Sequence, residues 1–229
     1  AALDRAIADL GCPAILKTTR FGYDGKGQAR LTGPEDADSA WEAIGGRPAV
    51  LEGFVAFSHE FSIILARRAD GAQVAYPAPH NRHVDGILAH SSLPAPAEIA
   101  AQADAATALA TRVAGALDYV GVLALEFFAT ADGPVFNEMA PRVHNSGHWT
   151  TEGAVTSQFE NHVRAICGLP LGPTDTTAPR VEMANLLGDA AHDWARILAE
   201  PDAHLHLYGK RDARPGRKMG HVTRLFRTE

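Results

Sequence analysis

Two glutamates in neighbouring apolar segments are the first residues whose type and spacing could do chemistry. Glu126 lies within the apolar run 122–128, and Glu138 lies near the end of the run 135–139. The intervening Asp-Gly pair is a common hairpin turn, so the two runs are predicted to be paired strands. A carboxylate inside an apolar strand is unfavourable unless it is paired or binds a cation.

The length of the connecting loop decides whether the two carboxylates meet. A three-residue loop at 131–133 places Glu126 opposite Glu138 on one face of the sheet, whereas a two-residue loop at 132–133 sends the carboxylates to opposite faces. We predict the first register. Because like charges repel, this register needs a divalent cation, and oxygen ligands favour magnesium, with manganese as the alternative. The competing interpretation is an exposed edge hairpin with two unrelated glutamates.

A glycine-rich loop at 22–27 follows the first apolar strand, 14–17. A P-loop and a dinucleotide-binding fingerprint both require a helix after the glycines, but residues 28–31 read as a strand. Glycines let backbone N–H groups approach phosphate oxygens, and a hairpin loop can close as a lid. Lys17 at the strand end would add a positive charge for phosphate. The alternative is an ordinary turn.

Two further polar segments could bind anions. The loop 140–149 carries groups that suit bicarbonate, carboxylate or phosphate, since arginine grips planar oxyanions bidentately and the others complete the hydrogen bonding: Arg142, His144, Asn145, Ser146 and His148. The segment 208–223 concentrates basic residues that could hold a phosphate: Lys210, Arg211, Arg214, Arg217 and Lys218. A capped turn and a solvated charge run are the respective alternatives.

The elements that must position these groups mix short strands and helices. Two histidines, His80 and His83, lie in a segment predicted to be a hydrogen-bonding loop, and Glu52 lies at a strand end where a nucleotide base could meet it. We predict helices at 1–10 (closed by Gly11), 34–44, 96–117, 150–167 and 189–200, strands at 49–55 and 181–187, a hairpin at 60–76, and a polar loop at 80–86.

Composition limits the class of protein. The 229 residues are 46% hydrophobic and carry a net charge of -6, which argues against a nucleic-acid or acidic-membrane partner. No apolar run is long enough to span a bilayer. Cys12 and Cys167 form no framework of closely spaced thiols, so a reducing cytoplasm is expected. The sequence starts inside a helix without an initiator methionine, and we expect it to be a fragment.

Three segments in order, AILKTTRFGYDGKGQ, NEMAPRVHNSGHWT and YGKRDARPGRKMGHVT, resemble the N5-carboxyaminoimidazole ribonucleotide synthetases, ATP-grasp carboxylases of purine biosynthesis. The resemblance runs through nearly the whole chain. It implies an α+β ATP-grasp fold in which two α+β subdomains with mostly antiparallel sheets clamp ATP. The implied division is a lid subdomain at 1–52, a core subdomain with the magnesium and bicarbonate site at 53–187, and a C-terminal segment at 188–229 with the basic substrate-phosphate loop.

The resemblance also implies roles for individual residues. ATP would be held at its phosphates by Lys17, Gly22, Tyr23, Asp24, Gly25, Lys26, Gly27 and Gln28, at adenine by Glu52, Gly53, Phe54 and Val55, at the ribose by Glu60, and also by His83. Magnesium would be bound by Glu126 and Glu138, with Asn137 beside them, and bicarbonate by Arg142, His144 and Asn145. Aminoimidazole ribonucleotide would be received by Tyr23, Asp24, Lys210, Arg217 and Lys218, with Asp24 as the general base.

The implied reaction transfers the γ-phosphoryl group of ATP to bicarbonate, and the resulting carboxyphosphate, or carbon dioxide from it, carboxylates the amine of aminoimidazole ribonucleotide. The relatives carry a further N-terminal domain, extend beyond residue 229 and are expected to be homodimers. Small molecules are the expected partners, without nucleic acid or membrane. Alternatives are another ATP-grasp ligase with a different acid or amine, a non-catalytic ATP-binding fragment, and a structural fragment.

Overall fold

The chain is described as a computed structural model covering residues 2–20 and 27–228, and it divides into two compact units. The first unit comprises residues 1–56 and 84–87, and the second comprises residues 57–83 and 88–229. No helix in the described ranges combines the length and apolar character that crossing a membrane would require. The boundaries predicted from the resemblance, at 52 and 187, stay a prediction.

The first unit contains a three-stranded antiparallel sheet of order β2-β1-β3 with two helices. Gly11 adopts a φ of 85° directly after the first helix, a conformation that favours glycine and ends the helix as predicted. The elements are α1 (Ala2–Leu10), β1 (Ala14–Thr18), β2 (Gln28–Leu31), a 3-10 turn (Pro34–Asp36), α2 (Ala37–Ala43) and β3 (Ala49–Gly53). Their shared core is formed by Ile7, Leu16, Leu31, Ala37, Ala40 and Ile44.

A nine-stranded antiparallel sheet is the framework of the second unit, with the order β11-β12-β10-β7-β6-β4-β8-β9 and β5 paired to β4. Its strands are β4 (His59–Arg67), β5 (Gln73–Ala75), β6 (His80–Val84), β7 (Ile87–Leu93), β8 (Gly121–Thr130), β9 (Gly133–Ala140), β10 (Arg180–Leu187), β11 (Ala203–Leu207) and β12 (Lys218–Phe226). The helices are α3 (Ala97–Ala100), α4 (Ala103–Ala116), α5 (Thr150–Gly153), α6 (Gln158–Ile166) and α7 (Trp194–Leu198), with 3-10 turns at Asn145–Gly147 and Gly188–Asp193.

Strand β8 is buried along almost its whole length because both faces of the sheet are covered. Leu123 and Leu125 face a core that includes the alanines of α4, whereas Val122 and Ala124 face a second core that includes Trp149. Strand residues alternate between faces. Glu126 therefore continues the row that begins at Val122 and Ala124, on the face that carries the 140–149 loop.

Three of the predicted elements are wrong in type or extent. The polar segment 80–86 is mostly strand β6, because Asn81 is buried and pairs opposite Glu60 on β4. The long helix 150–167 is two helices, since Ala154 is extended and forms a bridge with Thr176 before α6 begins. The helix 96–117 is likewise divided into α3 and α4. The predicted hairpin at 60–76, the helix at 34–44 as a 3-10 turn followed by α2, and the strand at 181–187 are confirmed.

Candidate functional site

The hairpin of β8 and β9 places Glu126 directly opposite Glu138, as predicted. The predicted three-residue loop is wrong, however, because Thr130 pairs with Gly133 and the turn is one residue shorter. A β-bulge restores the register. Asn137 is the extra residue between the pairs Phe127–Phe136 and Glu126–Glu138, so the two carboxylates share one face.

The electrostatics of this pair are unfavourable without a counter-charge. The Glu126 side chain is buried, with 8% of the residue exposed, whereas Glu138 is exposed. Burial, and then the negative charge of Glu138, raise the pKa of Glu126 to about 7. The charges of His83 and Lys218 act in the opposite direction and lower this pKa.

A third carboxylate, that of Glu60 on β4, lies beside this pair and contacts His83 on β6. The Glu60 Oε2 atom is 2.9 Å from His83 Nδ1. Burial lowers the pKa of His83, but the hydrogen bond and charge of Glu60, together with Glu126, outweigh burial and leave this pKa raised. The structure thus brings Glu60, His83 and the carboxylate pair to one end of the sheet.

Within the predicted oxyanion loop, His144 caps the 3-10 turn Asn145–Gly147. Gln158, the first residue of α6, holds the backbone of His144 on both sides. Its Oε1 accepts from the His144 N–H at 2.9 Å, and its Nε2 donates to the His144 carbonyl at 2.8 Å. A Cβ on Gly147 would lie 2.6 Å from Gln158 Oε1, so glycine permits this approach.

The imidazole of His144 lies beside Glu126, with Nδ1 3.4 Å from Glu126 Oε1. Burial, followed by the charge of Arg142 and other basic groups, lowers the pKa of His144 to about 3. The imidazole is therefore neutral near pH 7. Arg142 itself is exposed and donates from Nη1 to the Val143 carbonyl at 2.9 Å, which leaves further guanidinium donors for a ligand.

Asn145, predicted to bind the anion, also forms hydrogen bonds with another side chain of the protein. Its amide forms reciprocal hydrogen bonds with Asn185 on β10, of 2.9 Å and 2.7 Å, and Asn185 also donates to the Leu88 carbonyl at 2.8 Å. One hydrogen and one lone pair of the Asn145 amide remain for a ligand. The pair joins the loop to the C-terminal strands.

A stack of three histidines also joins the loop to these strands. His221 on β12 lies between His206 on β11, with ring centroids 4.6 Å apart, and His148, with centroids 5.0 Å apart. Tyr208 Oη lies 2.8 Å from His221 Nδ1, and burial raises the pKa of Tyr208 to about 12, so this hydroxyl keeps its hydrogen. Burial lowers the pKa of His221 to about 3, and that of His148 to about 4.

Basic side chains of the segment 208–223 form hydrogen bonds with its own backbone. Lys210 Nζ donates to the Lys218 carbonyl at 2.6 Å and lies 5.4 Å from the centre of the Tyr208 ring. Arg217 Nη1 donates to the Asp212 carbonyl at 3.0 Å. Lys218 begins β12, and its charge acts on Glu126, His144 and His148. The structure therefore brings Lys218 to the site on the second unit.

The nucleotide residues predicted on the first unit lie along β1, β2 and β3. Lys17 Nζ is 2.6 Å from Glu52 Oε2. Gly27 has a φ of 74°, and its carbonyl accepts from the Thr18 N–H, just before Gln28 starts β2. Gly53 ends β3, followed by Phe54, which is stacked by the Arg30 guanidinium at 4.6 Å, and by the half-buried Val55. The predicted residues Gly22, Tyr23, Asp24, Gly25 and Lys26 lie outside the described residues.

The donor set fits a hard cation held in part by its substrate. In the described part of the chain, no group of three or more His, Cys, Asp or Glu side chains is arranged to hold a metal. Glu126 and Glu138 supply two carboxylates, and Asn137 precedes Glu138 on β9. Magnesium commonly uses one or two carboxylates and takes its remaining ligands from phosphates and water. A cation here would offset the repulsion that raises the pKa of Glu126.

The sequence analysis did not identify the buried residues that form hydrogen bonds with the 140–149 loop. Gln158, Asn185 and Ser62 are all buried and polar, and each reaches the 140–149 loop from another element. The only local sequence signal near these residues is Ser157, next to Gln158. Ser157 caps α6 by accepting a hydrogen bond from the Glu160 N–H, and serine is a common residue at this position. Their partners are distant in sequence, so strand and helix patterns could not reveal them.

Comparison with known proteins identifies the class. A sequence profile described as the ATP-grasp domain matches residues 1–159, and one described as the phosphoribosylaminoimidazole carboxylase C-terminal domain matches residues 182–229. The chain belongs to the ATP-grasp family. The predicted α+β ATP-grasp fold is thereby confirmed.

Particular relatives narrow the class. The chain is 52% identical over 223 residues to the N5-carboxyaminoimidazole ribonucleotide synthase of Brucella melitensis, covering 96% of this chain and 61% of that protein. The solved structure of the synthetase from Thermus thermophilus is 48% identical with a TM-score of 0.87, covering 99% of this chain and 60% of that one. The Aspergillus clavatus enzyme in complex with ADP and 5-aminoimidazole ribonucleotide is 33% identical with a TM-score of 0.90, covering 99% and 61%. The chain thus spans less than two thirds of each relative.

Proposed function

We propose that this chain carries out, or is the nucleotide-binding and carboxylating part of, the ATP-dependent carboxylation of 5-aminoimidazole ribonucleotide with bicarbonate. The products are N5-carboxyaminoimidazole ribonucleotide, ADP and phosphate, in the de novo synthesis of purines. The observation that carries the proposal is the facing pair Glu126 and Glu138, with the neutral His144 and the charge of Lys218 directed at the same carboxylate. Similarity to synthases of this reaction supports it.

The proposed nucleotide contacts are assigned part by part. Lys17, Gly27 and Gln28, together with the loop 22–26, are assigned to the phosphates, and residues 52–55 to adenine. Glu60, which is oriented by His83, is assigned to the ribose. Magnesium, held by Glu126 and Glu138 beside Asn137, would draw charge from the transferring phosphoryl group. Manganese could replace magnesium at this site.

The bicarbonate contacts are assigned to the 140–149 loop. Bicarbonate is a poor electrophile, so phosphorylation must precede attack by the amine. The Arg142 guanidinium offers donors for the planar anion, and the neutral imidazole of His144 offers one more without adding a charge beside Glu126. The remaining hydrogen of the Asn145 amide completes the set.

The ribonucleotide contacts are assigned to the basic segment and to the glycine-rich loop. Lys210, Arg217 and Lys218 would bind the phosphate of the ribonucleotide, and their backbone contacts hold the segment in a fixed shape for this purpose. Tyr23 and Asp24 would also contact the ribonucleotide, with Asp24 taking the proton of the attacking amine. Closure of that loop over the site would protect carboxyphosphate from water.

The test is ADP release from Mg-ATP, measured with and without bicarbonate and aminoimidazole ribonucleotide, on this chain and on Glu138→Gln. We expect ADP formation that requires both substrates and is lost in the variant, because one of two proposed ligands is removed. Glu182→Gln on β10 is the matched control. Its half-exposed carboxylate lies 3.7 Å from the Arg180 guanidinium, and it should behave as wild type.

Other outcomes separate the alternatives. Mg-ATP binding without ADP formation would identify the chain as a non-catalytic ATP-binding fragment. ADP formation that is supported by a different acid or amine would identify another ATP-grasp ligase. Absence of magnesium-dependent ATP binding from a folded chain would refute the proposal altogether.

The location and assembly are also proposals. We propose that the protein acts in the cytoplasm, where its substrates are made, and that the full-length protein is a homodimer. Light scattering of the full-length protein would test the second point, and a monomer at micromolar concentration would contradict it.

A further inference from the structure

A continuous line of buried side chains runs behind the proposed bicarbonate site. It begins at Ser91 on β7, passes through Asn81 on β6 and Ser62 on β4, and reaches Ser146 in the loop and then His144. The first four residues are at most 2% exposed. Successive distances are 2.8 Å from Ser91 Oγ to Asn81 Oδ1, 3.0 Å from Asn81 Nδ2 to Ser62 Oγ, 2.8 Å from Ser62 Oγ to Ser146 Oγ, and 2.9 Å from Ser146 Oγ to His144 Nδ1.

The direction of these hydrogen bonds is fixed at the end beside His144. The backbone N–H of Ser146 also points at His144 Nδ1, at 3.3 Å. A backbone N–H can only donate, so Nδ1 must present its lone pair and cannot carry a hydrogen. The Ser146 hydroxyl then donates to the same nitrogen, and it must in turn accept from the Ser62 hydroxyl. Ser62 accepts from the Asn81 amide N–H, whose oxygen accepts from Ser91.

The competing tautomer has a clear disadvantage. A hydrogen on Nδ1 would face the Ser146 N–H, and its acceptors would be a reversed Ser146 hydroxyl or Glu126 Oε1 at 3.4 Å, which is longer than a normal hydrogen bond. Ser146 Oγ could then accept from both His144 and Ser62 only by leaving its own hydrogen without a partner, and otherwise Ser62 and Asn81 would have to reverse as well. All four groups are buried, so a reversal that left one of them unpaired would be unfavourable.

We propose that Ser62 and Ser146 are positioning residues that keep the hydrogen of the His144 imidazole on Nε2, so that the ring presents a donor to the anionic substrate. Among the described residues, the hydrogen bonds of this ring involve Nδ1, which leaves Nε2 for a ligand. A donor fixed before the substrate arrives needs no reorganisation when charge develops on an oxyanion. That the anion is bicarbonate or carboxyphosphate rests on the proposed function.

The test is a long-range 1H–15N correlation spectrum of the chain labelled with 15N-histidine. His144→Gln identifies which of the 11 histidine signals belongs to this ring. We expect the wild-type ring to show an unprotonated Nδ1 and a protonated Nε2. Ser146→Ala should shift the tautomer ratio toward Nδ1–H by roughly fivefold, the factor that corresponds to one neutral hydrogen bond. Ser62→Ala should shift it in the same direction by less.

The matched control is Thr223→Val on β12. It removes a fully buried hydroxyl that has no hydrogen-bond partner within the described residues, so it should leave the His144 pattern unchanged. A wild-type ring with its hydrogen on Nδ1 would overturn the inference. A folded Ser146→Ala with the wild-type tautomer ratio would also overturn it. If Ser146→Ala does not fold, an unchanged ratio in Ser62→Ala overturns it instead.

The spectrum is recorded without substrates, so it does not depend on the proposed reaction. If ADP formation is found, Ser146→Ala should raise the KM for bicarbonate by roughly fivefold and leave the KM for ATP unchanged, since only one anion contact is altered. An equal rise in both KM values would overturn the positioning role. A chain with the expected tautomer and no ADP formation in any condition supports the inference and shows that this chain alone does not catalyse the proposed reaction.

Discussion

The histidine stack should make the fold sensitive to mild acid. His221 is 4% exposed, and burial, followed by the charges of His148 and His206, holds its pKa near 3 in the folded chain. The ordinary pKa of histidine is about 6.5. Above that pH neither the folded nor the unfolded state carries the proton, so there is no effect. Below about pH 6.5 only the unfolded chain takes up the proton. The free energy of unfolding therefore decreases as the pH is lowered, until the pKa of the folded state is reached.

The size of the effect follows from these two values. Between pH 6.5 and pH 5 the loss is about 1.5 pH units at about 1.36 kcal/mol each, or about 2 kcal/mol from His221 alone. Burial lowers the pKa of His148 to about 4, so this second ring adds a similar amount. The sum is a large fraction of the stability of a typical domain.

The assay is urea unfolding at about pH 8 and about pH 5 for the wild type and His221→Gln, followed by circular dichroism. The difference in unfolding free energy between the two pH values should be about 2 kcal/mol smaller in the variant, because it has lost one titrating group. His192→Gln is the matched control, since that side chain is 75% exposed and lies away from the stack. An unchanged pH dependence in His221→Gln would refute the reasoning.

Two further predictions concern packing. Asn185→Ala should lower the unfolding free energy by about 1–3 kcal/mol, because it leaves the half-buried Asn145 amide and the Leu88 carbonyl without their partner. Urea midpoints of Asn185→Ala, Asn145→Ala and the double variant should be non-additive, and simple additivity would contradict the pairing. Gly121→Ala should destabilise by about 2 kcal/mol or more, because φ is 119° there and a Cβ would lie 2.9 Å from the His162 ring. Gly115→Ala, in open space on α4, should instead stabilise by about 0.5–1 kcal/mol, and similar thermal shifts for both glycines would contradict this assignment.

The carboxylate pair was predictable from the sequence, although the turn was not. Apolar flanks and alternation were enough to place Glu126 and Glu138 in paired strands. The turn prediction failed because the loop contains two residues, 131–132, instead of the predicted three, 131–133, while Asn137 bulges out of β9. A turn that is one residue shorter and a bulge that adds one residue to the strand leave the pairing of the two glutamates unchanged. The local sequence does not distinguish this combination from a longer turn without a bulge.

The supporting network was not predictable in the same way. Ser62 and Ser146 are 84 positions apart, and Asn81 meets them only because β6 pairs with β4. In sequence, a buried asparagine in a histidine-containing segment resembles a loop, which is why residues 80–86 were assigned wrongly. Helix α4 shows a related limit, since Ala106, Ala110 and Ala114 are buried while Leu117 is exposed. Small residues can face a sheet closely, and periodicity of large side chains does not detect them.

The order of strands in the large sheet has a consequence for the solubility of shortened chains. The two segments matched by sequence profiles, 1–159 and 182–229, are not separate layers, because β10 pairs with β7 on one side and with β12 on the other. A chain cut near residue 180 would leave the outer edge of β7 with unpaired backbone N–H and C=O groups. Such an edge recruits strands from other molecules. The C-terminal strands therefore also protect the protein from aggregation through this edge.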